Sequence, residues 1–304
     1  MDDQGWLTER FEENRPRLRG VAYRMLGSLS EAEDAVQEAW LRLSRIDTTT
    51  LENLGGWLTT VVSRVCLDML RSRKSRREEP IGAEVAEPRV ARGEGADPEG
   101  EAVLADSVGV ALLVVLETLT PAERLAFVLH DLFAMPFDEI GPIVGRSEAA
   151  AKQLASRARR RVRGSRAPSD AGRTRQREMV EAFLRAARAG DVEGLLAVLD
   201  PDAVVRIDAA ARFDGVVRID APAADVGKPR ELRGASTWAK QLVALSRGLR
   251  FVQPALIDGS VGLILAPRGK LARALTFTFT NGKITRVEVI GDPARLRELD
   301  IAVL

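Results

Sequence analysis

Residues 137–163 read FDEIGPIVGRSEAAAKQLASRARRRVR, and this stretch decides how the middle of the chain folds. Apolar residues recur at helical spacing up to Val144, a tight turn follows at Gly145-Arg146-Ser147, and alanines back a second helical pattern. Small alanines on the inner face let the two helices approach each other closely. The pattern therefore predicts a helix-turn-helix whose second helix can protrude into a DNA major groove.

The second helix of this motif carries a polar face opposite its alanines. The side chains on that face can donate to base edges and neutralise phosphates, and they are Lys152, Gln153, Ser156, Arg157 and Arg160. Nine arginines lie between Arg157 and Arg177, opposed only by Asp170. Because a run of one sign repels itself unless a polyanion is near, DNA is the indicated partner. The alternative is a helical hairpin whose arginines only solvate a surface.

The composition is that of a folded protein with more than one domain. The chain has 304 residues, 45% of them hydrophobic and 29% charged, which exceeds one ordinary core and excludes disorder of the whole chain. The single cysteine, Cys66, excludes an internal disulfide and points to a reducing compartment, by default the cytoplasm. No signal peptide or membrane-spanning stretch is expected, nor a metal site or cofactor.

Helical spacing of apolar residues also covers the first 77 residues. It predicts three helices, the second capped by Ser28, with an exposed loop at 47–50. Residues 78–100 combine acids with glycine and proline, which predicts a mobile acidic linker. The spacing resumes near residue 101 and predicts four helices up to residue 163, the second over 122–133.

The last 130 residues show a different pattern, which predicts an α+β domain. Two helices are predicted at 175–188 and 192–199, and the turn Asn281-Gly282 predicts a hairpin. The sequence VVRIDA occurs at 204–209 and again at 216–221, which indicates a duplication that either forms two adjacent strands or leaves one copy looped out. The predicted strands are 203–207, 216–219, 250–257, 261–266, 272–280 and 284–290.

Two segments resemble the sigma-70 family of transcription initiation factors, in its extracytoplasmic-function (ECF) class. EAEDAVQEAWLRL at 31–43 and GGWLTTVVSRVCLDMLRSR at 55–73 resemble the region that binds core RNA polymerase and melts the promoter. LETLTPAERLAFVLHDLFAMPFDEIGPIVGRSEAAAKQLASRARRRV at 116–162 resembles the region that reads the upstream promoter element. The resemblance implies a sigma factor, not an enzyme, that works in the cytoplasm with polymerase core and promoter DNA.

The resemblance also assigns roles to individual residues. Asp34, Gln37 and Glu38 would dock on the clamp helices of the polymerase β′ subunit, although an acidic helix of this kind is by itself more typical of a solvated face. The loop 46–53 would hold a flipped base of the −10 element. Extruding that base costs free energy, which stacking on aromatic rings and contacts with cations must offset. The expected −10 residues are Asp47, Thr48, Thr49, Asn53, Trp57, Arg64 and Arg71. Trp57 alone is equally compatible with a core aromatic. The −35 element would face Lys152, Gln153, Ser156, Arg157 and Arg160.

The chain after Gly172 resembles the SnoaL-like, cone-shaped α+β domain attached to one branch of these factors. In that branch the extension replaces a separate anti-sigma protein and modulates activity in cis. Its two motifs correspond here to Asp225, Gly227 and Lys228, and to Asp292, Pro293 and Leu296, with Asp292 where the branch has asparagine. Regulatory roles are expected at these six residues.

The sequence thus predicts a multidomain protein with two all-α helical sigma domains, the second with a helix-turn-helix, followed by an α+β SnoaL-like cone domain. The expected boundaries are 1–77, 78–100 for the linker, 101–166 and 175–304. Two alternatives concern the last domain: a pocket for a small apolar ligand, or isomerase or hydrolase chemistry. That chemistry would need a base such as Asp208, Asp220 or Asp225, because the only histidine, His130, lies elsewhere.

Overall fold

A computed structural model describes residues 3–46, 53–78, 109–164, 170–208, 229–244, 249 and 252–304. The chain divides into two compact units. One contains Met1–Val108 with Leu116–Arg159, and the other contains Gly109–Val115 with Arg160–Leu304. Among the described helices, none is both long enough and apolar enough to cross a bilayer.

The first helical module of unit one consists of three helices, as predicted. They are α1 (Asp3–Leu26), α2 (Leu29–Leu43) and α3 (Leu54–Glu78). The hydroxyl of Ser28 accepts from the backbone N–H of Glu31 and so caps α2, which confirms the predicted cap. The three helices bury a common core that includes Leu18, Met25 and Leu58.

A second set of four helices follows, again as predicted. They are α4 (Val110–Thr118), α5 (Pro121–Phe127), α6 (Phe137–Val144) and α7 (Glu148–Arg163). Thr120 and Glu123 form a reciprocal capping box at the start of α5. The helix predicted over 122–133 is interrupted, because α5 passes into a π-helical turn at Val128–Leu132.

The described residues of unit two form a seven-stranded sheet with helices packed against it. The helices are α8 (Asp170–Ala189), α9 (Val192–Val198), α10 (Ala235–Ala244) and α11 (Pro293–Glu298). The strands are β1 (Leu199–Ile207), β2 (Arg230–Arg233), β3 (Val252–Ile257), β4 (Ser260–Leu265), β5 (Arg273–Thr280), β6 (Lys283–Ile290) and β7 (Ile301–Ala302). Their order is β2-β1-β6-β5-β4-β3-β7, with β1 parallel to β6 and the other pairs antiparallel.

This sheet confirms most of the strand predictions. Asn281 and Gly282 have φ values of 50° and 72°, the left-handed pair that a tight hairpin between β5 and β6 requires. The first VVRIDA copy supplies the end of β1, whereas the second copy and the strand predicted at 216–219 lie outside the described residues. Strands β2 and β7 and helices α10 and α11 were not predicted.

Candidate functional site

The helix-turn-helix is held together by close approach of α6 and α7. Ala151, Ala155 and Ala158 are fully buried on the inner face of α7. On α6, a Cβ at Gly141 would lie only 2.8 Å from the backbone oxygen of Arg146, so the turn rests directly on this glycine. The sequence thus folds locally into a rigid support that leaves the opposite face of α7 uncovered.

All five residues predicted for the −35 element lie exposed on α7. They are Lys152, Gln153, Ser156, Arg157 and Arg160. The ammonium of Lys152 lies 2.6 Å from Glu148 Oε1, one turn earlier. Arg159 is engaged differently, because its guanidinium donates to Asp131, and this hydrogen bond raises the pKa of Arg159. The structure therefore brings together the predicted set and leaves Arg159 to fasten α7 to the π-helical turn that contains Asp131.

The predicted polymerase-binding residues lie on α2. Asp34 and Gln37 are exposed, while Glu38 is half-buried and its Oε1 accepts from Arg42 Nε at 2.9 Å. Gln37 also lines a groove of about 530 Å³ between α1 and α2. The other residues lining this groove are Thr8, Phe11, Glu12, Arg15, Glu33, Val36 and Trp40. Sequence reasoning missed the α1 side of the groove, because only the crossing of the two helices creates it.

The predicted −10 residues are described only in part. Asp47, Thr48 and Thr49 lie outside the described residues. Asn53 caps α3, since its Oδ1 accepts from the backbone N–H of Gly56 at 2.9 Å. Half-buried Trp57 and exposed Arg64 and Arg71 follow at intervals of seven residues and so lie along one face of α3. Arg71 Nη1 is 3.7 Å from Asp68.

Of the residues predicted to be regulatory, Asp292, Pro293 and Leu296 are described and lie at the start of α11. Asp292 Oδ1 accepts from the backbone N–H groups of Ala294 and Arg295, which lowers the pKa of Asp292. Pro293 is the first residue of the helix, and Leu296 is buried. Asparagine and aspartate cap helices about equally well, so Asp292 keeps the cap that asparagine would provide. Asp225, Gly227 and Lys228 lie outside the described residues.

The start of α4 and the end of α7 both belong to unit two and contact its sheet. The backbone N–H of Val110 donates to Gln253 Oε1 on β3 at 3.0 Å. The backbone N–H of Val303 donates to the carbonyl oxygen of Val162 on α7 at 2.9 Å. Within unit two, the sheet domain thus contacts the segments 109–115 and 160–164, and no pattern in the sequence indicates these contacts.

Known proteins resemble the chain along almost its whole length. Residues 10–76 match the family model for sigma-70 region 2, and residues 109–162 match the model for sigma-70, region 4. The probable ECF RNA polymerase sigma factor SigI of Mycobacterium tuberculosis is 37% identical over 98% of both chains. ECF RNA polymerase sigma factor SigJ of the same organism is 38% identical over 93% of this chain and 91% of its own. This chain belongs to the ECF sigma factors.

The resemblance of this sigma factor to SigI and SigJ also covers its C-terminal α+β domain. The crystal structure of SigJ from Mycobacterium tuberculosis is 34% identical and covers 95% of this chain and 98% of its own, with a TM-score of 0.43. Members of the family initiate transcription and are not enzymes. The predicted family, fold class and function are thus confirmed, and an enzyme fused to a DNA-binding module is not favoured.

A cavity of about 250 Å³ lies among the described residues of the α+β domain of this sigma factor. Four of its five lining residues are charged: the lining is Arg206, Asp208, Pro229, Glu288 and Arg295. Asp208 Oδ2 accepts from the backbone N–H groups of Gly291 and Asp292 at 2.8 and 2.9 Å, which ties β1 to the start of α11. A lining of this kind does not suit a small apolar ligand. No group of three or more His, Cys, Asp or Glu side chains in the described ranges is placed to hold a metal.

Proposed function

We propose that this ECF sigma factor docks on core polymerase through α2 and reads the −35 element with the exposed face of α7. The observation that carries the proposal is the position of five donor-bearing or cationic side chains on α7, opposite its buried alanines. Asp34, Gln37 and Glu38 on α2 then supply the contact to the clamp helices of the β′ subunit. The division into domains at 1–77, 101–166 and 175–304 belongs to this proposal, as does a place of action in the cytoplasm.

The −10 element would be melted on α3. Trp57, Arg64 and Arg71 share one face of that helix, where an aromatic ring can stack on an extruded base and two guanidinium groups can hold the backbone. Asn53 would act mainly by capping α3 and so fixing where the helix begins. Run-off transcription with purified core polymerase tests the function directly. A chain that starts no RNA at any promoter contradicts it.

Replacing Arg160 by alanine should weaken promoter binding by one phosphate contact. A lysine or arginine that neutralises one phosphate contributes about 0.9 to the slope of log K against log salt on duplex DNA. We expect the slope for Arg160→Ala to fall by about this amount, measured by anisotropy between low and moderate salt. Arg159→Ala is the matched control, because Arg159 is already paired with Asp131. A slope unchanged in Arg160→Ala would remove this residue from the interface.

The C-terminal α+β domain would modulate the sigma factor in cis. Supporting evidence is the pair of contacts within unit two: Gln253 accepts from the first amide of α4, and Ala302 and Val303 lie beside the end of α7. Removing residues 175–304 should therefore change run-off output with purified polymerase. Equal output from the full-length and shortened chains would argue against modulation.

A point substitution tests the same contact without removing the domain. Gly269 has φ of 71°, and a Cβ there would lie 3.0 Å from the Cβ of Leu113 on α4. Gly269→Ala should therefore speed hydrogen exchange of the Val110 amide about tenfold, by raising the free energy of the packed α4 by about 1–2 kcal/mol. Gly234→Ala is the control, since Gly234 also has positive φ but meets nothing within 4 Å. Equal exchange rates of the Val110 amide in both variants would show that contact with Leu113 does not cause the faster exchange.

A further inference from the structure

The first two turns of α7 present a small set of side chains away from α6. The helix begins at Glu148, and Ser147 Oγ, just before it, accepts from the backbone N–H of Ala150 at 3.3 Å. This bond fixes where the helix starts. In a helix-turn-helix the N-terminal residues of the second helix contact base edges. The side chains of residues 148–153 are therefore the ones that decide which bases are read.

Two of these residues lie on the outward line of α7, which is the direction opposite its buried alanines, Ala151, Ala155 and Ala158. At about 100° per residue, Ala149 and Gln153 lie within about 30° of this line. Both residues are exposed, and no other described residue forms a hydrogen bond with the side-chain amide of Gln153. A neutral amide and a methyl group thus face the groove in which α7 is proposed to lie.

The charged side chains of the same two turns point to the flank of the helix. Lys152 lies about 90° from the outward line, and Glu148 lies about 130° from it. Their head groups are 2.6 Å apart, so the charge of Lys152 is balanced within the helix. Within residues 148–153, no cation is therefore aimed where it could pair with the two acceptors of a guanine.

Adenine and thymine match the two side chains on the outward line. A glutamine side chain pairs with adenine through two hydrogen bonds, since it donates to N7 and accepts from the N6 amino group. An alanine methyl group makes an apolar contact with the methyl group of thymine. Side chains four residues apart on a helix are separated by about 6 Å at Cβ, and successive base pairs by about 3.4 Å. The two contacts therefore lie about one or two base pairs from each other.

Cationic side chains follow further along the helix. Arg157 and Arg160 are exposed, and they lie about 6 and 10 Å beyond Gln153 at a rise of about 1.5 Å per residue. At that distance from the inserted end of α7 they suit phosphates. Contacts to phosphates position a protein on the duplex but do not choose its bases.

We propose that Gln153 and Ala149 determine which bases of the −35 element this sigma factor selects. Gln153 reads an adenine, and Ala149 contacts the methyl group of a thymine about one or two base pairs away. The cationic side chains of α7 contribute affinity without choosing the base. This inference rests on the proposed contact of α7 with the −35 element.

Promoter selection by the holoenzyme tests the role of Gln153. The full-length chain and core polymerase select active templates from a library randomised over the −35 element, with run-off transcription as the readout. For the parent chain, replacing the selected adenine should lower affinity about tenfold. Gln153→Arg should change the preferred base at that position from adenine to guanine, because arginine pairs with guanine O6 and N7. Gln153→Ala should lose the preference at that position alone.

Glu139→Gln is the matched control for the charge added by Gln153→Arg. It raises the net charge by the same one unit at an exposed position of α6, in the same helix-turn-helix. We expect it to leave the preferred base at every position unchanged.

Uracil in place of thymine tests the contact of Ala149. The parent chain should bind the uracil template about fourfold more weakly, since one methyl group is lost from the contact. Ala149→Gly should bind the thymine and uracil templates equally. Circular dichroism checks that this variant is folded.

Three results would overturn the assignment. An unchanged preferred base in Gln153→Arg is the first, and a uniform loss of affinity for all sequences in Gln153→Ala is the second, because it describes a phosphate contact. The third is equal binding of thymine and uracil templates by the parent chain, which removes Ala149 from base reading. A parent holoenzyme that selects no template contradicts the proposed function, whereas a clear selection that the variants leave unchanged contradicts this inference alone.

Discussion

Replacing Gly141 by valine should dismantle the helix-turn-helix. A Cβ at this position would lie 2.8 Å from the carbonyl oxygen of Arg146 and 3.3 Å from the backbone nitrogen of Glu148. Both neighbours are backbone atoms, so no side-chain rotation can relieve the overlap. The turn must move outward, and the backbone bond from Arg146 N–H to Gly141 O, now 2.9 Å, is lost with it. Overpacking against fixed backbone costs about 3 kcal/mol or more.

The expected result is a free energy of unfolding lowered by about 3 kcal/mol and a loss of −35 affinity of more than about tenfold. Urea denaturation followed by circular dichroism measures the first, and anisotropy with labelled duplex measures the second. Gly5→Val is the control: it makes the same change in helix α1 where no atom lies within 4 Å, so its effect should stay within about 0.5 kcal/mol. If folded Gly141→Val keeps full affinity for the −35 element, the packing of the turn against Gly141 is not needed to present α7 to DNA.

The helix-turn-helix could be predicted because its information is local. The motif lies within residues 137–163. The residues that pack together, the apolar side chains of α6, the turn at Gly145 and the alanines of α7, are close to one another in sequence. The five predicted −35 residues follow from this spacing, since residues opposite a buried alanine stripe must face outward. Their contact with DNA stays a prediction.

The contacts between distant parts of the chain could not be predicted in this way. Arg124 bonds to Arg24, one hundred residues earlier, and Val110 bonds to Gln253 far beyond it. From sequence alone, an arginine in an amphipathic helix is predicted to be solvent-exposed, because the surface that covers it is formed by residues far away in the chain. Only the folded chain shows that Arg124 is buried.

Strand β2 shows a different limit of the sequence pattern. Its residues, RELR, alternate half-buried and exposed at the edge of the sheet, where a strand needs few apolar side chains. Pairing with β1 holds it in place, through the backbone of residues 204–207. The motif around Asp292 is the reverse case: the family resemblance implied a motif there, and the structure adds that Asp292 caps a helix and Pro293 begins it. Its regulatory role stays a prediction.

Replacing Phe183 by alanine should have the largest effect in the α+β domain. Phe183 on α8 is 1% exposed, and its ring stacks on Trp238 of α10 at 5.2 Å and meets the edge of Phe277 of β5 at 5.5 Å. The ring thus joins two helices to the sheet. Truncating a buried phenylalanine to alanine costs about 3–5 kcal/mol, part of it from the cavity that remains.

We expect the urea transition of the α+β domain to move to lower concentration in Phe183→Ala, while the helical modules keep theirs. Leu196→Ala is the control, because Leu196 is 39% exposed in the same domain and should cost less than about 0.5 kcal/mol. The variant also bears on regulation. If the folded domain acts in cis, Phe183→Ala at intermediate urea should change run-off output as removal of residues 175–304 does. If run-off output changes only at the urea concentration where the helical modules unfold, the α+β domain does not influence transcription.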